Sequence, residues 1–271
     1  MEYSGRSETE IRERLSKVKC FLLDMDGTFY LGDRILDGSL DFLDALERTG
    51  RTARFLTNNS SKSAKVYDEK LARMGVKAQY RDVISSAHAA VHYCAEKFPG
   101  KKCWLLGNPM LRAELAAMGM PLTDEDPDYV LVGFDTTLDY AKMTKVCDYI
   151  RGGLPYIATH PDFNCPTETG FIPDIGAIMA FIEASTGRRP DVILGKPYRG
   201  IVDEALLRTG LKLEDMAMVG DRLYTDVATG VRHGMTGILV LSGEAGMADV
   251  AASDVKPDLI FGCLAEMIPY L

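Results

Sequence analysis

Cys20-Phe21-Leu22-Leu23-Asp24-Met25-Asp26-Gly27-Thr28 is the stretch on which the reading of the fold turns. Its four apolar residues have the length and character of a buried strand. The two aspartates that follow stand at i and i+2, so in extended backbone their side chains point to the same side. Just past the carboxyl end of a central strand, they enter the crevice where open α/β sheets bind ligands. Gly27 then lets the chain turn away sharply. Two like charges this close disfavour joint ionisation unless a cation, or the reaction itself, separates their roles. Such a pair suits phosphoryl transfer: one carboxylate attacks phosphorus and the other, protonated, donates to the leaving oxygen. The competing interpretation is a surface turn, because Asp and Gly are good turn residues. A calcium loop is excluded, since Phe29-Tyr30-Leu31 stands where further oxygen ligands would be needed.

Outward from this stretch, short apolar runs alternate with amphipathic ones, which predicts βα units and a parallel sheet. Ala53–Leu56, Met216–Val219, Gly237–Leu241 and Leu259–Phe261 read as further strands. Ser39–Arg48 and Ser63–Met74 read as helices, closed by Gly50 and Gly75. The middle of the chain has strands of its own at Cys103–Leu106, Tyr129–Val132 and Tyr156–Ala158. Helices are expected between them at Met110–Met118 and Tyr140–Ile150. The expected architecture is therefore α/β, with a second α/β unit inserted into the first at roughly Ser85 to Pro190.

Three later segments supply what a phosphotransfer site needs, namely donors for phosphoryl oxygens, a cation and metal ligands. Thr57-Asn58-Asn59-Ser60 follows the second strand, where the Thr57 hydroxyl and nearby backbone N–H groups can cradle phosphate; it is also an ordinary loop composition. Gly195-Lys196-Pro197 follows the expected strand Asp191 to Leu194 and places a lysine at a defined position, or simply in a solvated turn. Gly220-Asp221-Arg222-Leu223-Tyr224-Thr225-Asp226 follows Met216–Val219, so Asp221 is again at a strand end. Mg²⁺ takes few carboxylates plus water and phosphate oxygens, which fits Asp24, the Asp26 carbonyl and Asp221. Asp226 would then orient Lys196 or a metal-bound water, and acidic residues at a helix start fit the same place. Four polar motifs each ending a predicted strand would converge on one edge of a single parallel sheet.

Composition narrows the classes further. The chain of 271 residues is 46% hydrophobic and 26% charged, as expected of a globular protein. No apolar run approaches the length needed to cross a bilayer, and the polar stretch from Met1 to Lys17 lacks a signal-peptide core, so a cytoplasmic protein is expected. Six scattered cysteines without a C-x-x-C pair argue against disulfides, and four histidines without ligand spacing argue against zinc. A net charge of −8 disfavours non-specific nucleic-acid binding, though not a small anionic substrate.

In order and spacing, Asp24 and Asp26, Thr57, Lys196 and the Asp221/Asp226 pair resemble the haloacid dehalogenase superfamily, from Val18 onward. The insertion between Thr57 and Lys196, with Gly220 to Asp226 behind it, resembles subfamily IIA, the NagD-like or p-nitrophenyl phosphatase branch with a C2-type cap. That resemblance implies a Rossmann-like core over 1–84 and 191–271 and an inserted α/β cap over 85–190. It implies Asp24 as nucleophile, Asp26 as acid/base, and Thr57, Asn58 and Lys196 on phosphate with Asn59 beside them. Asp24, Asp26 and Asp221 would bind Mg²⁺. The implied activity is hydrolysis of small phosphomonoesters such as sugar phosphates, nucleotides or p-nitrophenyl phosphate through an aspartyl-phosphate. The resemblance also allows a homodimer paired through the cap. Ala158-Thr159-His160-Pro161-Asp162 and Gly170 to Gly176 resemble the substrate-specificity region, which would bring His160 to the substrate. Relatives often have Asn-Pro-Asp at 160–162 and Pro-Gly at 173–174, where this chain has His160 and Asp174. A phosphomutase, a protein phosphatase and a non-catalytic phosphometabolite-binding regulator are the alternatives. The large insertion favours the hydrolase branch, a cap disfavours protein substrates, and no catalytic group is missing.

Overall fold

Cys20–Leu23 is buried at every position, the pattern of a strand covered on both faces of a parallel sheet. In this computed structural model, which describes residues 5–167 and 170–271, it is the first strand of the chain; Met1 to Ser4 of the polar N-terminal stretch lie outside the described residues. The strands in chain order are β1 (Cys20–Leu23), β2 (Tyr30–Leu31), β3 (Arg34–Ile35), β4 (Thr52–Thr57), β5 (Val83–Ser85), β6 (Cys103–Leu106) and β7 (Tyr129–Val132). They continue as β8 (Tyr156–Ala158), β9 (Asn164–Thr167), β10 (Gly170–Pro173), β11 (Val192–Ile193), β12 (Met216–Gly220), β13 (Thr236–Val240) and β14 (Leu259–Phe261). The helices begin with α1 (Glu8–Ser16), α2 (Ser39–Arg48), α3 (Ala64–Arg73), α4 (Ser86–Lys97) and α5 (Pro109–Ala117). They end with α6 (Tyr140–Arg151), α7 (Ile175–Thr186), α8 (Arg199–Thr209), α9 (Ala228–His233) and α10 (Met247–Ala252).

The chain divides into two units. One comprises the chain through Thr57, Tyr67–Ile84 and Ala205–Leu271; the other comprises Asn58–Val66 and Ser85–Glu204. Residues 58–66 and 191–204 thus fall in the second unit, although the expected core extends over both stretches.

The first unit holds a six-stranded parallel sheet in the order β14-β13-β12-β1-β4-β5. β1 lies between β12 and β4, where the strand order reverses, so the crevice at its carboxyl end is the site the topology provides. Leu23 pairs with Val219 on one side and Phe55 on the other. Asp24 is therefore one step past the paired rows, and its N–H still donates to the Val219 carbonyl at 2.9 Å. The core beneath includes Phe21, Phe29, Phe42 and Phe55, with edge-to-face ring pairs Phe21–Phe42 and Phe29–Phe55.

The second unit has its own parallel sheet, β11-β8-β7-β6, with a core of Trp104, Leu106, Val130, Val132, Ile150, Tyr156 and Ile178. β9 and β10 form a separate antiparallel pair. β11, which precedes Lys196, pairs with Ile157 and Ala158 of β8. This corrects the expectation that all four motif-bearing strands share one sheet. The Asp191 carboxylate accepts from the Tyr156 N–H at 2.7 Å, and the Asp191 N–H donates to the Tyr156 carbonyl. Together these dock the strand on β8.

Candidate active site

The turn after β1 is organised by the Met25 carbonyl, which accepts the Thr28, Phe29 and Tyr30 N–H groups. Met25 itself is buried in the core, which leaves Asp24 and Asp26 on the opposite side of the strand end. Asp24 is half-buried and Asp26 is exposed. The Asp26 Oδ1 accepts from the Gly32 N–H at 3.1 Å, tying it to the β2–β3 hairpin. Gly27 is required at its place, with φ of 83° and the Asp221 carboxylate where a Cβ would stand.

From β12, Gly220 leads into Asp221, followed by a π-helical turn over Leu223–Val227 that runs into α9. Such turns recur at functional sites because they re-aim side chains. Here the turn brings Asp226 back over Gly220, where a Cβ would collide with it, and Asp226 Oδ2 accepts from the Arg222 N–H at 3.1 Å. Oxygens of Asp24, Asp221 and Asp226 all lie within 4.8 Å of one another. The structure thus brings Asp226 into the carboxylate cluster itself, beside two of the expected metal ligands.

The electrostatics of this cluster favour a cation. Burial, then the charge of Asp226, pushes the Asp221 carboxyl up to about 6. Its Oδ2 accepts the Glu244 N–H at 2.8 Å. Its Oδ1 is buried and has no hydrogen-bond partner among the described residues. An orphaned carboxylate oxygen beside two further carboxylates is the donor set of a hard divalent ion. Arg222 sits beside the cluster, its guanidinium 2.9 Å from Glu244. Burial works against its charge, but Tyr224, Glu244, Asp24 and Asp221 outweigh burial and hold its pKa above the ordinary value.

The loop Ser242–Ala245 after β13 is a part of the site that sequence reasoning missed. Ser242 Oγ donates to the Gly27 carbonyl at 2.7 Å, and the Ala245 N–H donates to the Asp221 carbonyl at 3.1 Å. A side chain on Gly243 would run into Asp221. The available signal was Ser242-Gly243 directly after the run Gly237–Leu241, one more polar strand end in the same sheet.

Thr57 ends β4 in the first unit and is buried. The other predicted phosphate-binding residues gather in the second unit. The Asn58 carboxamide holds the main chain of Lys196 on both sides: Oδ1 accepts the Lys196 N–H at 2.6 Å and Nδ2 donates to its carbonyl at 3.0 Å. Nδ2 also approaches Asp162 Oδ2 at 3.1 Å. Lys196 is buried. Asn59 closes a turn, its Oδ1 accepting from the Ser61 N–H at 2.9 Å and Oγ at 2.8 Å. His160, expected at the substrate, is fully buried with Nδ1 3.5 Å from Asp162 and Nε2 3.6 Å from Asp174.

Comparison with known proteins identifies the family. The family model for haloacid dehalogenase-like hydrolases matches residues 21–121, and a second, described as HAD-hydrolase-like, matches 193–267. The chain is 37% identical to an acid sugar phosphatase of Staphylococcus aureus over 95% of its own length and 99% of that protein. The structure of a 4-nitrophenylphosphatase from Thermotoga maritima superposes with a TM-score of 0.91 at 46% identity, over 94% of this chain and 98% of that one. NagD from E. coli K-12 superposes with a TM-score of 0.84 at 31% identity, over 92% and 98%. Identity at this level over nearly the whole of both chains leaves one assignment: this protein belongs to the haloacid dehalogenase-like hydrolases, in their NagD-like branch.

Proposed function

We propose that the chain is a Mg²⁺-dependent phosphatase of small phosphorylated metabolites, in the class of sugar phosphates, nucleotides and p-nitrophenyl phosphate. The observation that carries this reading is the cluster of Asp24, Asp221 and Asp226 at the carboxyl edge of the parallel sheet, with Asp26 two residues beyond Asp24. Relatives named as phosphatases support it. In the proposed reaction an Asp24 oxygen attacks phosphorus, the ester P–O bond breaks, and Asp26 gives its proton to the leaving oxygen. A water then attacks the aspartyl-phosphate while Asp26 takes its proton; the acyl P–O bond breaks, releasing inorganic phosphate and restoring Asp24. Asp24 and Asp221, with the Asp26 carbonyl, would hold Mg²⁺, which when bound supplies the positive charge that offsets repulsion between carboxylate and phosphate. Thr57, Asn58 and Lys196 take the phosphoryl oxygens by the family pattern.

In this reading residues 85–190 act as a cap that excludes water while the ester is bound. A cytoplasmic location belongs to it as well, supported by six free cysteines, four of them buried. So does a homodimer paired through the cap, which rests on the family resemblance.

The test is phosphate release across a phosphometabolite panel that includes p-nitrophenyl phosphate. We expect turnover that requires Mg²⁺. Asp26→Asn should slow alkyl phosphates about 100-fold more than p-nitrophenyl phosphate, whose leaving group hardly needs a proton. No turnover across the panel would overturn the assignment, and equal losses would remove Asp26 from the acid role.

A further inference from the structure

His160 and Asp174 face each other across the second unit's interior. His160 Nε2 lies 3.6 Å from Asp174 Oδ1, and the ring is fully buried. On its other side Nδ1 lies 3.5 Å from Asp162 Oδ2. Asp174 is itself fixed: it caps α7, its Oδ1 accepting the Ile175 N–H at 2.7 Å. Asp162 is fixed through its backbone, whose carbonyl accepts the Gly176 N–H at 2.7 Å. A side chain on Gly176 would run into the Pro161 and Asp162 carbonyls, so the two segments pack main chain to main chain.

From Asp162 the contacts lead to the phosphate-binding motifs. The Asn58 Nδ2 meets both Asp162 oxygens, at 3.3 and 3.1 Å, and the same carboxamide bonds the N–H and the carbonyl of Lys196. The Asn58 carbonyl accepts from Ser86 Oγ at 2.5 Å, so the residue is held at both ends. A Cβ on Gly195 would collide with the Asn58 carboxamide and with His160, so Gly195 is what admits the strand end this close. Buried polar groups are costly when unpaired: the Asn58 amide meets the Asp162 carboxylate by hydrogen bonds, whereas both buried ring nitrogens of His160 make no hydrogen bond among the described residues and face Asp162 and Asp174 at ion-pair distance.

We propose that His160 and Asp162 are positioning residues: backed by Asp174, they set the Asn58 carboxamide, and Asn58 sets the main chain that carries Lys196. The inference rests on the phosphatase reading for what Lys196 does, and deepens it. The segment resembling the specificity region then acts on the phosphate end of the substrate, through Lys196.

Kinetics and unfolding together test this. In the full chain with Mg²⁺, Asp162→Asn and His160→Asn should each lower kcat/KM for p-nitrophenyl phosphate at least tenfold. They should raise the inhibition constant of inorganic phosphate by a similar factor. Placed on Lys196→Met, neither should cost more than a further twofold, since the lysine they position is gone. His160→Ala and Asn58→Ala should be non-additive in the unfolding equilibrium constant by at least threefold, a readout that needs no turnover. Full additivity with Lys196→Met, or an unchanged phosphate inhibition constant with only a lowered melting point, would overturn the proposal and leave the phosphatase reading intact. Absence of turnover in the unaltered chain would overturn the phosphatase reading itself.

Discussion

Asp24 and Asp221 each follow a strand of the first unit's sheet, and Asp26 and Asp226 make each of them part of an acidic pair that the sequence shows at once. Gly243 carries no such mark, yet a Cβ there would occupy the space of the Asp221 carboxylate. Gly243→Ala should therefore raise the Mg²⁺ concentration for half-maximal activity at least about tenfold, equivalent to about 1.4 kcal/mol, without loss of fold by circular dichroism. An unchanged Mg²⁺ requirement would show that Asp221 has no part in metal binding. Asp162 yields a pH prediction. Burial alone would raise its pKa, but the neighbouring His160 ring, the Asn58 amide bonds and the charge of Lys196 outweigh burial and hold it below the ordinary 3.8. A carboxyl depressed in the folded state stabilises above its unfolded value, and loses that contribution as pH falls through its folded one. The stability advantage of the unaltered chain over Asp162→Asn in urea unfolding should thus be full above pH 3.8 and shrink below it. An advantage that grows toward acid pH would contradict the sign.

At the scale of elements, apolar runs with clear ends were readable, and helices without a polar face were not. β1, β6, β7, β8 and β14 fall where the sequence reading put them, residue for residue. α7, Ile175–Thr186, was not anticipated because Ile-Gly-Ala-Ile-Met-Ala-Phe-Ile presents apolar side chains all round and shows no helical period. α4 was hidden by small buried residues, Ser86 to Ala90, that carry little contrast. β11 was recognised as a strand, but its sheet was not, because Asp191 decides that by bonding to β8 far away in sequence. α5 gives a clean test of element-level physics. Asn108 caps it, with Oδ1 accepting the Leu111 N–H at 2.8 Å ahead of Pro109, while Nδ2 donates to the Ser61 carbonyl at 3.1 Å. Asn108→Ala should cost about 1 kcal/mol in urea unfolding, with kcat for p-nitrophenyl phosphate unchanged. A loss below a few tenths would mean that the Asn108 bonds to Leu111 and Ser61 add nothing to stability.

For the whole molecule, the topology concentrates chemistry at one strand end. β1 lies between β12 and β4, so the two aspartates after β1, Asp221 after β12 and Thr57 at the end of β4 belong to one edge of one sheet. The second unit gathers Asn58, Lys196, His160 and Asp162 about its own sheet. Among the described residues no helix is long and apolar enough to cross a membrane. Everything proposed for the reaction depends on Asp24 becoming covalently phosphorylated. Rapid acid quench during turnover of p-nitrophenyl phosphate with Mg²⁺, followed by mass spectrometry of the peptide carrying Asp24, measures that directly. The expected result is a phosphoryl adduct on Asp24 in the unaltered chain, with neither adduct nor turnover in Asp24→Asn. Sustained turnover in Asp24→Asn, or an adduct on another residue, would contradict the account.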